Sequence, residues 1–129
     1  MKKNILITGG CGNVGGSLAR RLVNDPENFV VIIDNLLTGS TDKLPDSNFK
    51  NWSFIKCDCN NFQDLRSVMD QTSFDYVFHY AAVVGVQRTL ASPIMVLDDI
   101  KGIENILSLS HSTGVKRFFY SSSSEVYGE

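Results

Sequence analysis

The sequence predicts an α/β protein built on a doubly wound parallel sheet, and three observations carry that prediction. Short apolar runs alternate with segments of helical periodicity, the pattern of successive βαβ units. A glycine-rich turn, Thr8-Gly9-Gly10-Cys11-Gly12-Asn13-Val14-Gly15-Gly16, follows the apolar run Ile5-Leu6-Ile7 and precedes the helical pattern Leu18, Leu22, Val23. The next run, Phe29-Val30-Val31-Ile32-Ile33, ends in the carboxylate of Asp34, about twenty residues past the last glycine of the turn. Right-handed crossovers then give five strands in the order 3-2-1-4-5, with a crevice at their carboxyl ends.

Each element has its own signal. Ile5 to Thr8 reads as the first strand and Asn13 to about Asn24 as the first helix, which Asp25-Pro26 stops. Phe29 to Asp34 is the second strand. Thr38 to Asn51 is polar, with Gly39, Pro45 and several Ser and Asn, and reads as a loop with room for one helical turn. Trp52 to Cys57 is the third strand. Asn60 or Asn61 can cap a short helix through about Asp70, with Phe62, Leu65, Val68 and Met69 on its inner face. Phe74 to Tyr80 is the fourth strand. Ser92-Pro93 opens a long helix whose apolar pattern, Val96 to Leu107, runs to about Ser112, and Gly114 ends it. Val115 to Ser121 is the fifth strand.

The glycine turn carries the first chemistry. Gly10, Gly12 and Gly15 give G-x-G-x-x-G, while Gly9, Gly12 and Gly15 give G-x-x-G-x-x-G, and both registers predict the same contact. Glycine reaches positive φ and lets the backbone approach a ligand, while the helix N-terminus offers N–H groups and positive potential to a pyrophosphate. Such turns also serve as plain connections. The strand before, the helix after and Asp34 at the right distance identify this one as a dinucleotide site.

Bulk properties bound the rest. The 129 residues, 43% of them hydrophobic, suffice for one domain, residues 1–129. A formal net charge of −2 offers no basic field for nucleic acid or an anionic membrane, and no stretch has the length of a membrane span. Three apolar residues behind Met1-Lys2-Lys3-Asn4 are too few for a secretory core, and Cys11, Cys57 and Cys59 are an odd number. A reducing, cytoplasmic setting is expected. Cys57-Asp58-Cys59 lacks a second cysteine pair, so no metal site is expected and the thiols are assigned to packing.

Five segments in order resemble the extended short-chain dehydrogenase/reductase family, and within it the NAD-dependent nucleotide-sugar epimerases, dehydratases and decarboxylases, isomerases and lyases by reaction. Thr8 to Gly15 is similar to T-G-G-x-G-x-x-G, and Asp34-Asn35-Leu36-Leu37-Thr38-Gly39 to D-N-L-S-T-G. Lys56-Cys57-Asp58-Cys59 resembles a G-D-I/V element whose Asp contacts adenine. Val77-Phe78-His79-Tyr80-Ala81-Ala82 resembles V-x-H-x-A-A, and Gly114 to Ser123 resembles G-V-K-R-F-V-Y-x-S-S. The resemblance implies a Rossmann-type fold and NAD as cofactor, contacted by Gly9, Gly12, Asn13, Val14, Gly15, Asp34, Asn35, Asp58, Cys59, Tyr80, Ala81 and Ala82. Ser121 would lie near the nicotinamide. Asp34, without a basic neighbour, should accept from ribose hydroxyls and repel a 2′-phosphate, favouring NAD over NADP.

By the same resemblance Ser123, three positions before the Val of Val126-Tyr127-Gly128, would hydrogen-bond the sugar oxygen at the carbon that loses and regains hydride. Glu125 stands where dehydratases and decarboxylases carry a carboxylate able to act as acid or base. Ser124 in place of Asp weakens the dehydratase reading and leaves epimerase and decarboxylase open. The family's Tyr-x-x-x-Lys acid/base pair does not occur in these residues. The chain is therefore expected to be the N-terminal, NAD-binding portion of a longer enzyme, truncated relative to the family and lacking its substrate-binding region. No turnover of a nucleotide sugar is expected from it alone, and a homo-oligomer is expected because strand five and the long helix leave apolar faces open. The alternative is a non-catalytic dinucleotide-binding module or fragment.

Overall fold

The computed structural model of the chain describes residues 2–81 and 93–121. Among them, β1 (Lys3–Thr8), β2 (Asn28–Asp34), β3 (Trp52–Lys56), β4 (Tyr76–His79) and β5 (Arg117–Tyr120) form one sheet. Every pairing is parallel and the spatial order is β3-β2-β1-β4-β5, the doubly wound order expected from the sequence.

Central β1 explains why its sequence is a continuous apolar run. It pairs with β2 on one side (Ile5↔Val30, Ile7↔Ile32) and with β4 on the other (Leu6↔Val77, Thr8↔His79). Helices cover both faces, so successive residues cannot alternate between core and solvent. Helix α1 (Asn13–Leu22) packs Ala19 on one face, over Ile5, Ile7, Val30 and Ile32. Helices α2 (Phe62–Gln71) and α3 (Pro93–Thr113) cover the other, where Leu65, Val68, Met69, Ile106 and Leu109 meet Leu6, Val31, Ile33 and Val77.

Boundaries differ from the sequence reading by one or two residues, and several of the shifts have a local reason. The helix after β1 stops at Leu22, before the expected Asn24, because Asn24 N and Asp25 N bond back to the Arg21 and Leu22 carbonyls in tighter turns. Of the two candidate caps on α2, Asn61 is the one used: its Oδ1 accepts from Asp64 N at 3.2 Å. The polar Thr38 to Asn51 segment holds a single 3₁₀ turn, Thr41–Lys43, capped by Ser40. Gly114 closes α3 at φ +80, and Val115 N reaches back to the Ser110 carbonyl, which delays β5 to Arg117. Phe74 is buried ahead of β4 as a core residue rather than a strand residue.

The switch in winding direction falls between β1 and β4. Connections leave β1 toward β2 and β3 on one side and toward β4 and β5 on the other, so a crevice opens at the carboxyl ends of the two strands. Among the described residues, no helix is long and apolar enough to cross a membrane.

Candidate functional site

The crevice is built first by glycine. Gly9 holds φ +69, and a Cβ there would lie 2.8 Å from both Tyr80 C and Ala81 N, so the turn lies directly against the end of β4. A Cβ on Gly15 would overlap the Gly9 carbonyl, and one on Gly10 would overlap Ile32 Cγ2. Gly9, Gly12 and Gly15 therefore line the crevice while Gly10 faces the core, which decides between the two registers left open by the sequence. Gly12 is the extended N-cap of α1 and provides no side-chain cap. The first turn of that helix holds no acidic residue and the last holds Arg20 and Arg21, so its N-terminal N–H groups and positive dipole end stay available to an anion.

The carboxylate at the end of β2 is held by backbone. Asp34 is buried, its Oδ2 accepting from Cys11 N at 3.0 Å and its Oδ1 from Leu36 N at 2.7 Å. Each oxygen keeps capacity for a further donor such as a hydroxyl. Leu36 takes φ +64, an unusual conformation for a side chain of that size, in the same bend in which its N–H donates to Asp34. Asn35 Oδ1 accepts from Leu37 N in the same bend.

The opposite wall depends on one buried hydroxyl. Thr8 Oγ1 accepts from Tyr80 N at 3.0 Å and Ala81 N at 3.1 Å, and lies 2.7 Å from His79 Nδ1. With two N–H groups already donating to it, the hydroxyl gives its own proton to Nδ1, which leaves the imidazole proton on Nε2. Burial pushes the His79 pKa down to about 4, so the ring is neutral at physiological pH. Burial, followed by the Asp34 charge, pushes Cys11 up to about 11. Burial and then the Asp64 and Asp58 charges do the same to Cys57. Neither is a thiolate nucleophile near neutrality.

A cavity of about 320 Å³ lies between these walls, within the range of small-molecule sites. Its lining includes Gly9, Gly12, Asn13, Val14 and Gly15 from the turn and α1, Asp34 and Asn35 after β2, and Asp58 and Cys59 after β3. Tyr80 and Ala81 after β4 and Ser121 after β5 complete the set. Ala82, Ser123 and Glu125 lie outside the described residues. Sequence reasoning did not select Leu37, Thr38, Asn60 and Gly102, which also line the cavity. Gly102 had a readable signal, an isolated glycine inside an apolar helical pattern, which marks a close approach. Among the described residues, no group of three or more His, Cys, Asp or Glu side chains could hold a metal ion.

Residues 5–129 match the family described as NAD dependent epimerase/dehydratase. The chain belongs to that family. It is 35% identical to the UDP-N-acetyl-alpha-D-glucosaminuronate decarboxylase of Bacillus cytotoxicus, over all of this chain and 39% of that protein. It resembles the UDP-N-acetylglucosamine 4-epimerase of Methanobrevibacter ruminantium M1, solved with UDP-N-acetylmuramic acid, at 36% identity and TM-score 0.86, over 100% of this chain and 41% of that one. The Bordetella bronchiseptica enzyme WbmH, solved with NAD+, shares 26% identity at TM-score 0.83, over 99% of this chain and 41% of the enzyme. The chain thus spans about two fifths of the length of these relatives. NAD is the cofactor of the family, and the crevice suits it on its own terms. An uncapped helix N-terminus can receive a pyrophosphate, and a backbone-pinned carboxylate with spare acceptor capacity can receive ribose hydroxyls.

Proposed function

We propose that the chain is the NAD-binding part of a nucleotide-sugar epimerase or decarboxylase that works by transient oxidation of the sugar. The observation that carries this reading is the convergence of the uncapped α1 N-terminus and the Asp34 carboxylate on one crevice at the switch point. Bound NAD supplies a hydride acceptor that later returns the hydride. The turn from Gly9 to Gly15 holds the pyrophosphate, with Asn13 and Val14 contributing N–H groups. Asp34 and Asn35 hold the adenosine ribose, and Asp58 and Cys59 face adenine. Tyr80, Ala81 and Ala82 flank the cofactor, Ser121 stands near the nicotinamide, Ser123 orients the sugar hydroxyl and Glu125 moves a proton. The reading includes a cytoplasmic setting, on the odd number of cysteines.

Cofactor preference tests it. NAD should bind at least about tenfold more tightly than NADP, because a 2′-phosphate would meet the Asp34 carboxylate. Asp34→Ala should narrow that gap, chiefly by weakening NAD. Titration followed by intrinsic fluorescence measures both. Equal affinities for the two cofactors in the unmodified chain sink the assignment of Asp34. The competing reading is a dinucleotide-binding module without catalysis. A Tyr-x-x-x-Lys pair in coding sequence continuous with Glu129 rules it out.

The reading also includes self-association. Among the described residues, strand β5 lies at a sheet edge with Tyr120 exposed, and α3 exposes Ile94, Leu97, Ile100 and Leu107. Edges and apolar helix faces of this kind recruit a second copy. Phe119 is a poor probe, since its ring stacks on Phe78 at a centroid distance of 4.5 Å. Tyr120→Lys on the edge and Leu97→Glu on the helix should each lower the average mass seen by light scattering across a concentration series. An unmodified chain that scatters as a monomer throughout contradicts the expectation.

A further inference from the structure

The loop between β3 and α2 presents Asp58, Cys59 and Asn60 to the crevice, and two of its hydrogen bonds are internal. Asp58 Oδ1 accepts from Asn60 N at 2.9 Å, and the Asp58 carbonyl accepts from Asn61 N at 3.0 Å. These bonds shape the loop, burial of Cys57 and Cys59 in the core seats its start, and Cys57 N donates to the Asp34 carbonyl at 3.1 Å. A polar tie to the far side comes from α3. Asn105 is buried, and its Nδ2 donates to the Cys59 carbonyl at 2.9 Å across 46 residues of sequence. One turn earlier Gly102 is buried against the same loop, where an added Cβ would lie 2.5 Å from Asn60 Oδ1 and 3.5 Å from Cys59 Cβ.

A carboxamide is an expensive group to bury, and elsewhere on this face α3 presents Ile106 and Leu109 to the core. Its position is explained by the carbonyl it meets. The i, i+3 spacing of Gly102 and Asn105 sets both on one stripe of the helix, the first making room for the loop and the second gripping it. Neither residue needs to touch a ligand through its own polar atoms to control where Asp58 and Cys59 stand.

We infer that Asn105, with Gly102 one turn before it, is a positioning residue that holds the adenine end of the cofactor crevice through the Cys59 carbonyl. The inference rests on the proposed NAD site. It goes beyond that reading by assigning a hold on the β3–α2 loop to a helix residue that lies outside the crevice lining.

Binding of NAD, AMP and nicotinamide mononucleotide to the unmodified chain and two variants tests it. Asn105→Asp keeps the shape and replaces the donor with an acceptor facing a carbonyl. NAD and AMP should each weaken about tenfold, the size of one lost buried hydrogen bond, while nicotinamide mononucleotide is unaffected. Gly102→Ala puts a methyl against Asn60 and should weaken AMP severalfold. Alanine favours a helix interior over glycine and the atom it crowds is the tip of the Asn60 side chain, which can turn aside, so this variant should melt no lower than the unmodified chain, a combination that general destabilisation does not produce. If Asn105→Asp does not fold, Asn105→Ala, which removes the donor without adding charge, takes its place, because Gly102 itself lines the cavity. An unmodified chain that binds neither NAD nor AMP overturns the cofactor site and this inference together. NAD binding by the unmodified chain with unchanged AMP affinity in the folded variants, or an equal loss for all three ligands, overturns the inference alone.

Discussion

Gly9→Val is expected to abolish measurable NAD binding and to destabilise the chain by roughly 2–5 kcal/mol, the combined cost of a left-handed β-branched residue and of overpacking. Gly9 sits at φ +69, and the new Cβ would lie 2.8 Å from Tyr80 C and Ala81 N. Those are backbone atoms of a neighbouring strand end, not the tip of a side chain that can rotate away. Relief requires the turn to lift off β4, which displaces the first N–H groups of α1 and breaks the crevice at its centre. Chemical denaturation and NAD titration of the same samples check the two effects. A variant of unchanged stability that still binds NAD would mean that the turn does not rest on β4.

Acidification from pH 7 to pH 4 should cost the unmodified chain about 3 kcal/mol more than it costs His79→Asn. The folded pKa of His79 is depressed to about 4 from its ordinary 6.5 because burial penalises the imidazolium. Between those values the unfolded chain binds a proton that the folded chain does not. Stability from the neutral ring is therefore complete above about pH 6.5, declines as pH falls through the window, and is exhausted below about pH 4. Asn supplies an amide oxygen to accept from Thr8 and does not titrate. Its baseline stability will be lower, so the comparison is between slopes measured by urea unfolding at several pH values. Parallel slopes would show that His79 is not held neutral by the fold. The same acidification should loosen the Tyr80–Ala81 wall, because Thr8 Oγ1 joins the ring to both N–H groups.

Much of the architecture was legible because it is written in local pattern. The apolar runs of β1 and β2, the glycine turn between strand and helix, and Asp34 at the end of β2 are each decided within a few residues. Strand order then follows from the handedness of crossovers, which the L-amino acids impose on any such chain. The positions of Gly9, Asp34, Asp58, Tyr80 and Ser121 on one crevice follow in turn, since each ends a strand of the same parallel sheet or follows its end within two residues.

What the sequence by itself determined was the winding of the sheet and the strand ends that meet at its switch point. Tertiary structure alone decided the contacts that hold those ends in place. Nothing near Gly10 says that it faces Ile32 while Gly9 faces Tyr80, and nothing near Cys59 says that its carbonyl is held by Asn105. The same is true of Thr8 with His79, 71 residues apart, and of Asp34 with Cys11, 23 apart. The physical reason is range. Periodicity and turn chemistry act between residues a few positions apart, whereas a buried polar group takes its partner from whichever strand or helix the completed sheet brings beside it.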